Sequence, residues 1–353
     1  MGQLYSCCLK WFVKNRNTPE PEEKKLYSWE VRKTKNREDY LVENVESTTI
    51  IKKPGDIDGE QFGCRNLKKC NILLFDHVAT IMIDDCEDCF FIVGPVHQSI
   101  FLRDCHDCSI IVACQQFRVR DCYNIKVMLH SDTKPIIESS NNIYFSCYRL
   151  TYSDIAEHFI AAKLSPFNNN WFKVYDFSAR GDNGDIGPNW KLIHSNQFDL
   201  ESKIEKSLID EVNISLKCTF VPLTKGTTDM FTGNSCLVVF LPQSDLLSSV
   251  LRFTAECSSK ADIIVVQTKK VKLSCEDFYR VFPMADKSYK QALKSPDDVI
   301  SVEVNGAELE NCINICKEIG PDVCSNGMIY YSSLETSTEN IDKFYSFVDM
   351  HIL

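Results

Sequence analysis

Two hydrophobic patterns divide the chain. Between Asn71 and Leu129, short runs rich in β-branched and aromatic residues follow one another: "NILLFD", "TIMID", "CFFIVG", "SIFLRD", "SIIVAC", "FRVRD" and "NIKVML". Several alternate apolar and polar positions, which is the period of a strand. From about Ser235 the pattern changes. "CLVVFLP" reads as a buried strand and "LLSSVLRFTAECSS" as a helix. "ADIIVVQTKKVKL" is strand material, "CEDFYRVF" a helix, "DVISVEV" a strand and "ELENCINICKEIG" a helix. Strands alternating with helices predict an α/β sandwich of ferredoxin-like type. Between the two patterns, "FNNNWFKVYDFSARGDNGDIGPNWKLI" is rich in Gly, Asn and Asp and reads as loop. "DLESKIEKSLIDEV" at 199–212 has helical spacing and predicts a connecting helix.

The strand-rich part contains a repeat. Leu67, Cys86, Cys105, Cys122 and Ser140 fall into one column, spaced 19, 19, 17 and 18 residues apart. Three residues later Cys70, Cys89, Cys108, Ile125 and Ile143 form a second column. In isolation "DDCEDC" and "RDCHDC" give C-x2-C-x15-C-x2-C, which resembles a zinc site. A zinc ligand, however, cannot be exchanged for Leu or Ile, because the metal needs a thiolate, imidazole or carboxylate. A core position can, because a free thiol behaves as a small hydrophobe. The spacing is therefore the length of one coil of a parallel β-helix with three strands per coil, and the cysteines are predicted to point inward and hold no metal.

The strand before each pair sets the register. Three residues before the first column lie Cys64, Ile83, Leu102, Val119 and Ile137. Five before lie Phe62, Ile81, Ile100, Phe117 and Pro135. Both sets are apolar and predicted inside. Two before lie Arg65, Asp84, Arg103, Arg120 and Glu138, a charged ladder facing water. Four before lie Gly63, Met82, Phe101, Arg118 and Ile136. That set also faces outward, yet it is apolar around a single Arg, the composition of a protein-binding patch.

Composition narrows the function classes. The 353 residues carry a net charge of −10, which argues against a nucleic-acid partner. Eighteen cysteines in a chain with neither a signal-peptide pattern nor a spanning apolar stretch predict a cytosolic protein with reduced thiols. Met1-Gly2-Gln3-Leu4-Tyr5-Ser6 fits the N-myristoylation pattern with Gly2 as acceptor, and Cys7 and Cys8 follow as palmitoylation candidates. Two acyl signals are what stable anchoring to a membrane requires. The expected organisation is an acylated tether over 1–40, a β-helix over 41–194, a linker with a helix over 195–234 and the α/β part over 235–353.

At 113–122 the segment "ACQQFRVRDC" resembles the signature of the tubulin-folding cofactor C family. The likeness extends to Leu74-Phe75-Asp76-His77, "IDDC" at 83–86, "GPV" at 94–96, Lys134 to Ser140, "FNNNW" at 167–171 and the Asp176-Phe177 pair. It is strongest over about 54–177. It implies a right-handed parallel β-helix and an activator of a small Arf-like GTPase in its GTP-bound state. In such proteins an Arg enters the nucleotide site of the partner, and the matching position is Arg118. Gln115 and Gln116 belong to the same motif. Glu138, on the next coil, is expected to hold Arg118 or Arg120 by a charged hydrogen bond, and Phe177 to pack against the GTPase. Met82, Phe101, Ile136 and Arg120 complete the expected docking face. GTP and Mg²⁺ would belong to the partner, since no G-x-x-x-x-G-K-[ST] motif occurs in this chain.

The C-terminal order resembles nucleoside diphosphate kinase, with two departures. Leu241 precedes Pro242 where that family has a lysine, and the N-x-x-H-G-S-D motif is missing. The one histidine beyond His194 is His351. Kinase activity is therefore not expected, and Cys312 and Cys316, four apart on a helix, read as core. The resemblance, which the order of anchor, β-helix and α/β part extends over nearly the whole chain, implies a role at the cytoplasmic face of the plasma membrane or a ciliary base, in traffic of lipidated proteins. A non-catalytic effector of the GTPase and a tubulin-folding cofactor are the alternatives.

Overall fold

The computed structural model describes residues 37–351 apart from 179–188, 201, 218–219, 229, 232–233, 294–296 and 325–327. Gly2, Cys7 and Cys8 lie outside the described residues. From Tyr40 onward the chain forms one compact unit.

Twelve strands build a parallel solenoid: β1 (Leu41–Glu46), β2 (Thr49–Lys52), β3 (Phe62–Lys68), β4 (Asn71–Leu74), β5 (Ile81–Glu87), β6 (Phe90–Arg103), β7 (Ser109–Arg120), β8 (Tyr123–Ser131), β9 (Ile136–Glu138), β10 (Asn141–Cys147), β11 (Tyr175–Asp176) and β12 (Trp190–Leu192). They stack in two ladders. The first runs β1–β3–β5, through the second halves of β6 and β7, to β9 and β11. The second runs β2–β4, through the first halves of β6 and β7, to β8, β10 and β12. Three strands per coil was the expectation; the third side is reduced to bridges joining Val78, Val96 and Cys114. The cause sits in β6, where Gly94-Pro95 interrupts the register. Proline has no N–H to donate to a ladder, and a Cβ on Gly94 would collide with the carbonyl of Asp76.

The ladders differ in what covers them, and this explains their sequences. The first has one buried face, so it alternates: Ile81, Ile83, Ile100, Leu102, Phe117 and Val119 point into the coil and their neighbours point out. The second is buried on both faces. Leu73, Phe90, Ile92, Ile111 and Met128 pack beneath the helix α1 (Ile155–Ala161) and the segment holding α2 (Lys206–Val212). Strands covered on both sides read as continuous apolar runs, as "CFFIVG" and "SIIVAC" do. Each Val, Leu or Ile so buried contributes roughly 1.5–3 kcal/mol. The helix expected over 199–212 starts only at Lys206, because the backbone at Glu205 is extended, with φ −62° and ψ 139°.

The two columns mark the corners of the coil. Cys86, Cys89, Cys105, Cys108 and Cys122 are buried and point inward. The residue before each column position has positive φ: Asn66, Lys69, Asp85, Asp88, Asp104, Asp107, Asp121, Asn124, Ser139 and Asn142, all between 48° and 56°. Asp and Asn tolerate this left-handed region better than other side chains. Each turn brings the next thiol to the carbonyl two residues back, as in Cys86 to Asp84 O at 3.3 Å, Cys105 to Arg103 O at 3.1 Å and Cys122 to Arg120 O at 3.2 Å. The same sulfur accepts the corner amide of the previous coil, Cys122 Sγ from Cys105 N at 3.4 Å. At the end of the column the Ser140 hydroxyl takes over both tasks, accepting from Cys122 N at 3.0 Å and donating to Glu138 O at 2.8 Å. The columns thus ask for a small side chain that is apolar enough for the core and still able to make two weak hydrogen bonds.

A second sheet follows, ordered β14 (Ile263–Leu273), β15 (Asp297–Gly306), β13 (Ser235–Phe240), β16 (Ile329–Tyr331), antiparallel throughout. With α3 (Leu246–Ser259), α4 (Cys275–Val281), α5 (Leu309–Val323) and α6 (Ser337–His351), this is the strand order of a ferredoxin-like sandwich. Helices α3 and α5 cover one face; α4 and α6 cover the other, so β15 is buried almost end to end. The three-residue β16 and the closing α6 were not read from the sequence.

The solenoid and this sheet are joined by the "FNNNW" segment. Asn168 Oδ1 accepts from Lys270 N at 2.8 Å, and the Phe167 carbonyl accepts from Thr268 Oγ1 at 2.9 Å. Asn169 accepts from Ser131 N and donates to the Leu129 carbonyl, while Asn170 Oδ1 accepts from Lys269 Nζ at 2.7 Å.

Candidate functional site on the solvent face of the solenoid

The outward positions of the first ladder fall into rows by strand register. One row runs Gly63, Met82, Phe101, Arg118, Ile136 and Tyr175, each opposite the next. Gly63 is half-buried, as are Phe101 and Ile136; Met82 and Tyr175 are exposed. The sequence reading reached this row as far as Ile136 and missed Tyr175. Its signal was available: Tyr175 and Phe177 stand two apart, on one face of a strand.

Arg118 stands in the middle of the row and is exposed. Its guanidinium lies 5.9 Å from the centre of the Phe101 ring, within cation–π range. No ion pair or hydrogen bond of this side chain occurs among the described residues. The adjacent row, Arg65, Asp84, Arg103, Arg120 and Glu138, contrasts with it. Arg103 grips Asp84 in a two-pronged pair at 2.7 and 2.8 Å. Arg120 bonds Asp121 at 3.0 Å. The expected bond from Glu138 is made to neither Arg118 nor Arg120. Glu138 sits one rung from Arg120, while the rung beside Arg118 holds Ile136. The backbone register therefore keeps the carboxylate off the Arg118 row.

Gln116 projects from the same face, two residues before Arg118, and its Oε1 accepts from Ser99 Oγ at 2.9 Å. Gln115 is exposed, and its carbonyl accepts from both the amide and the hydroxyl of Thr133. Beyond Ile136, Tyr175 and Phe177 meet edge to face with ring centres 4.7 Å apart. Phe177 is 65% exposed, a large fraction for a phenylalanine. Beside them opens a cavity of about 400 Å³ lined by Gln116, Ile136, Tyr175, Phe177, Asp132 and Lys269. Lys269 is buried, and that burial pulls its ammonium down to about 7, helped by the nearby Lys173. Burial likewise pushes the Asp132 carboxyl up to about 7, against the attraction of Lys269. Lys269 comes from the second sheet, within "ADIIVVQTKKVKL", which reads from the sequence only as strand material; nothing there marked this lysine.

The scaffold beneath the face is tied at Asp76. Its Oδ2 accepts from the amides of Gly55, Ile57 and Asp58 at 3.0, 2.8 and 2.7 Å, and its Oδ1 from the amide of His77 at 2.8 Å. Burial opposes ionisation of this carboxyl, but the amide donors outweigh it and hold the group below its usual range.

The Tubulin binding cofactor C family matches residues 59–177, which contain Arg118, the whole first ladder from Phe62 and the Tyr175–Phe177 pair. Protein XRP2 of Danio rerio is 35% identical over 346 residues, covering 96% of this chain and 88% of its own. Protein XRP2 of Homo sapiens is 34% identical over 359 residues, covering 100% and 99%. Tubulin-specific chaperone C of Homo sapiens is 28% identical over 158 residues, 45% of each chain. Among solved structures, Tubulin Binding Cofactor C from Leishmania major aligns with a TM-score of 0.31 at 20% identity, over 45% of this chain and 90% of that one.

Proposed function

The chain belongs to the XRP2 family and carries a tubulin binding cofactor C domain, and from that premise we propose that it activates GTP hydrolysis by a small Arf-like GTPase. The observation that carries the reading is Arg118. It is a permanently charged, planar donor on a rigid ladder, left without an anionic partner among the described residues and ringed by Met82, Phe101, Ile136 and Tyr175. Its neighbours in the next row, Arg103 and Arg120, are both paired. A free Arg among apolar rungs suits a surface that closes on a partner and excludes water.

In the proposed reaction the GTPase supplies the phosphate-binding loop, Mg²⁺ and the attacking water. The apolar rungs dock against it and remove solvent from its nucleotide site. Arg118 enters in trans and stabilises the charge that develops on the γ-phosphate oxygens. Gln116, fixed by Ser99, lies beside it to contact the partner's loops. Phe177 and Tyr175 extend the docking face. Acyl groups on Gly2, Cys7 and Cys8 would hold the protein at the cytoplasmic face of a membrane, where lipidated cargo is released. The α/β part is proposed as a structural or interaction module without kinase activity.

Single-turnover GTP hydrolysis with candidate Arf-like GTPases tests this. Wild type should stimulate the rate by about 10³–10⁵-fold, and Arg118→Ala should lose most of that gain while still binding the GTP-loaded partner. Equal rates with both proteins bound would remove the activator reading and leave a non-catalytic effector. Binding to tubulin but to no GTPase would instead favour a folding cofactor.

A further inference from the structure

In the C-terminal sandwich, three buried thiols meet one another. Cys236 Sγ on β13 lies 3.5 Å from Cys312 Sγ and 3.7 Å from Cys316 Sγ, the latter pair one turn apart on α5. All three are buried, and their sulfurs lie within 4.8 Å of one another. Buried Cys257 on α3 belongs to the same core and, after Cys236, helps push the Cys316 thiol up. The corner thiols Cys86, Cys89, Cys105 and Cys108 of the solenoid differ, because each is engaged by the carbonyl two residues back. Here only Cys312 reaches a carbonyl, Val304 O at 3.5 Å. Among the described residues, the other convergence of metal-ligating side chains, Asp76 with His77 and His158, is already consumed by the amides that Asp76 accepts.

We propose that Cys236, Cys312 and Cys316 form a binding site for a thiophilic d¹⁰ cation, Zn²⁺ or Cu⁺, with Cys257 closing it. A tetrahedral ion with bonds of about 2.3 Å to sulfur needs sulfurs about 3.8 Å apart, so the observed spacings require little movement. Thiolates select such ions over Mg²⁺ and Ca²⁺. Each ligating thiol gives up its proton to solvent as the metal enters. The anionic centre that results adjoins the first turn of α5, where Cys312 is the fourth residue and unpaired amides favour negative charge. The enclosed position implies loading during folding or local opening of α5.

The full chain, prepared reduced and anaerobic, can be titrated with Cd²⁺ as a spectroscopic stand-in for Zn²⁺, and separately with Cu⁺. One tightly held equivalent of either ion is expected, with a thiolate-to-metal charge-transfer band and a raised melting temperature; which ion is retained against a chelator identifies the occupant. Cys312→Ala with Cys316→Ala should lose the equivalent, and Cys86→Ala with Cys108→Ala in the solenoid should keep it. Should the double variant not fold, Cys236→Ala alone must still abolish the thermal shift. Uptake of neither ion by wild type overturns the proposal, as does an equivalent that survives loss of the cluster thiols or vanishes with the solenoid thiols.

Discussion

Cys122 shows how much one side chain is asked to do. Its sulfur accepts the buried amide of Cys105, its S–H reaches the Arg120 carbonyl, and its bulk fills the corner of the coil. Serine already performs both bonds one coil later, at Ser140. Cys122→Ser should therefore cost no more than about 1 kcal/mol in urea unfolding, whereas Cys122→Val leaves the Cys105 amide without an acceptor and should cost about 1–3 kcal/mol. A reversed order would mean that volume alone governs the column. At this scale the sequence was informative about direction and poor about partners. Alternation placed Arg118 outside and Cys105 inside, because period two is a property of the backbone. It suggested a bond from Glu138 to Arg118 or Arg120 that forms with neither: Ile136 takes the rung beside Arg118, and Arg120 bonds Asp121 instead.

At the scale of elements, the repeat was legible because like residues stack; what turned the chain was not. Ten corner residues with positive φ precede the two columns, and six of them are aspartates or asparagines within the "DDCEDC", "RDCHDC" and "RDCYN" stretches. The common property of these Asp and Asn residues is tolerance of the left-handed region. Asp104→Ala, at φ 52°, should lower stability by about 1 kcal/mol. Asp104→Gly should cost less and Asp104→Val more, read as shifts of the denaturant midpoint. If Val were tolerated as well as Gly, the corner would not be under conformational control. The helix predicted from Asp199 illustrates the opposite error: apolar spacing at Leu200, Ile204, Leu208 and Val212 is real, and all four are buried. Extended backbone at Glu205 nonetheless delays the helix to Lys206.

For the whole molecule, the joint matters more than either half. The three asparagines of "FNNNW" looked like loop composition, and loops are where sequence reading is least specific. In the fold they bind the solenoid to the second sheet and receive Lys269 beside Asp132. That buried pair makes stability depend on pH in two limbs. Asp132 is raised from 3.8 to about 7, so the folded state holds its proton longer and stability falls as pH rises through that window. Lys269 is lowered from 10.5 to about 7, so the unfolded state holds more protons above neutrality and stability climbs again with further rise. Unfolding free energy measured against pH should show a shallow minimum near 7 from this pair. Asp132→Asn should flatten the acid limb and Lys269→Met the alkaline limb, each by at least about 1 kcal/mol. Limbs unchanged in both variants would locate the dependence elsewhere.

The parallel stacking of the solenoid has a further consequence for how such a chain tolerates change in length. Rungs in a sheet are spaced by about 4.8 Å, so the row from Met82 through Phe101, Arg118 and Ile136 to Tyr175 spans roughly 19 Å in four equal steps. A whole coil added or removed moves everything beyond it by one step without rotating a single side chain. Loss of part of a coil would turn the next row away from its face. From Gly63 to Ile136 the steps take between 17 and 19 residues, the last step to Tyr175 takes 39, and the slack is taken up between the strands while each rung keeps its place. The stack therefore works as a graduated scale: its divisions are held constant while the tape between them stretches.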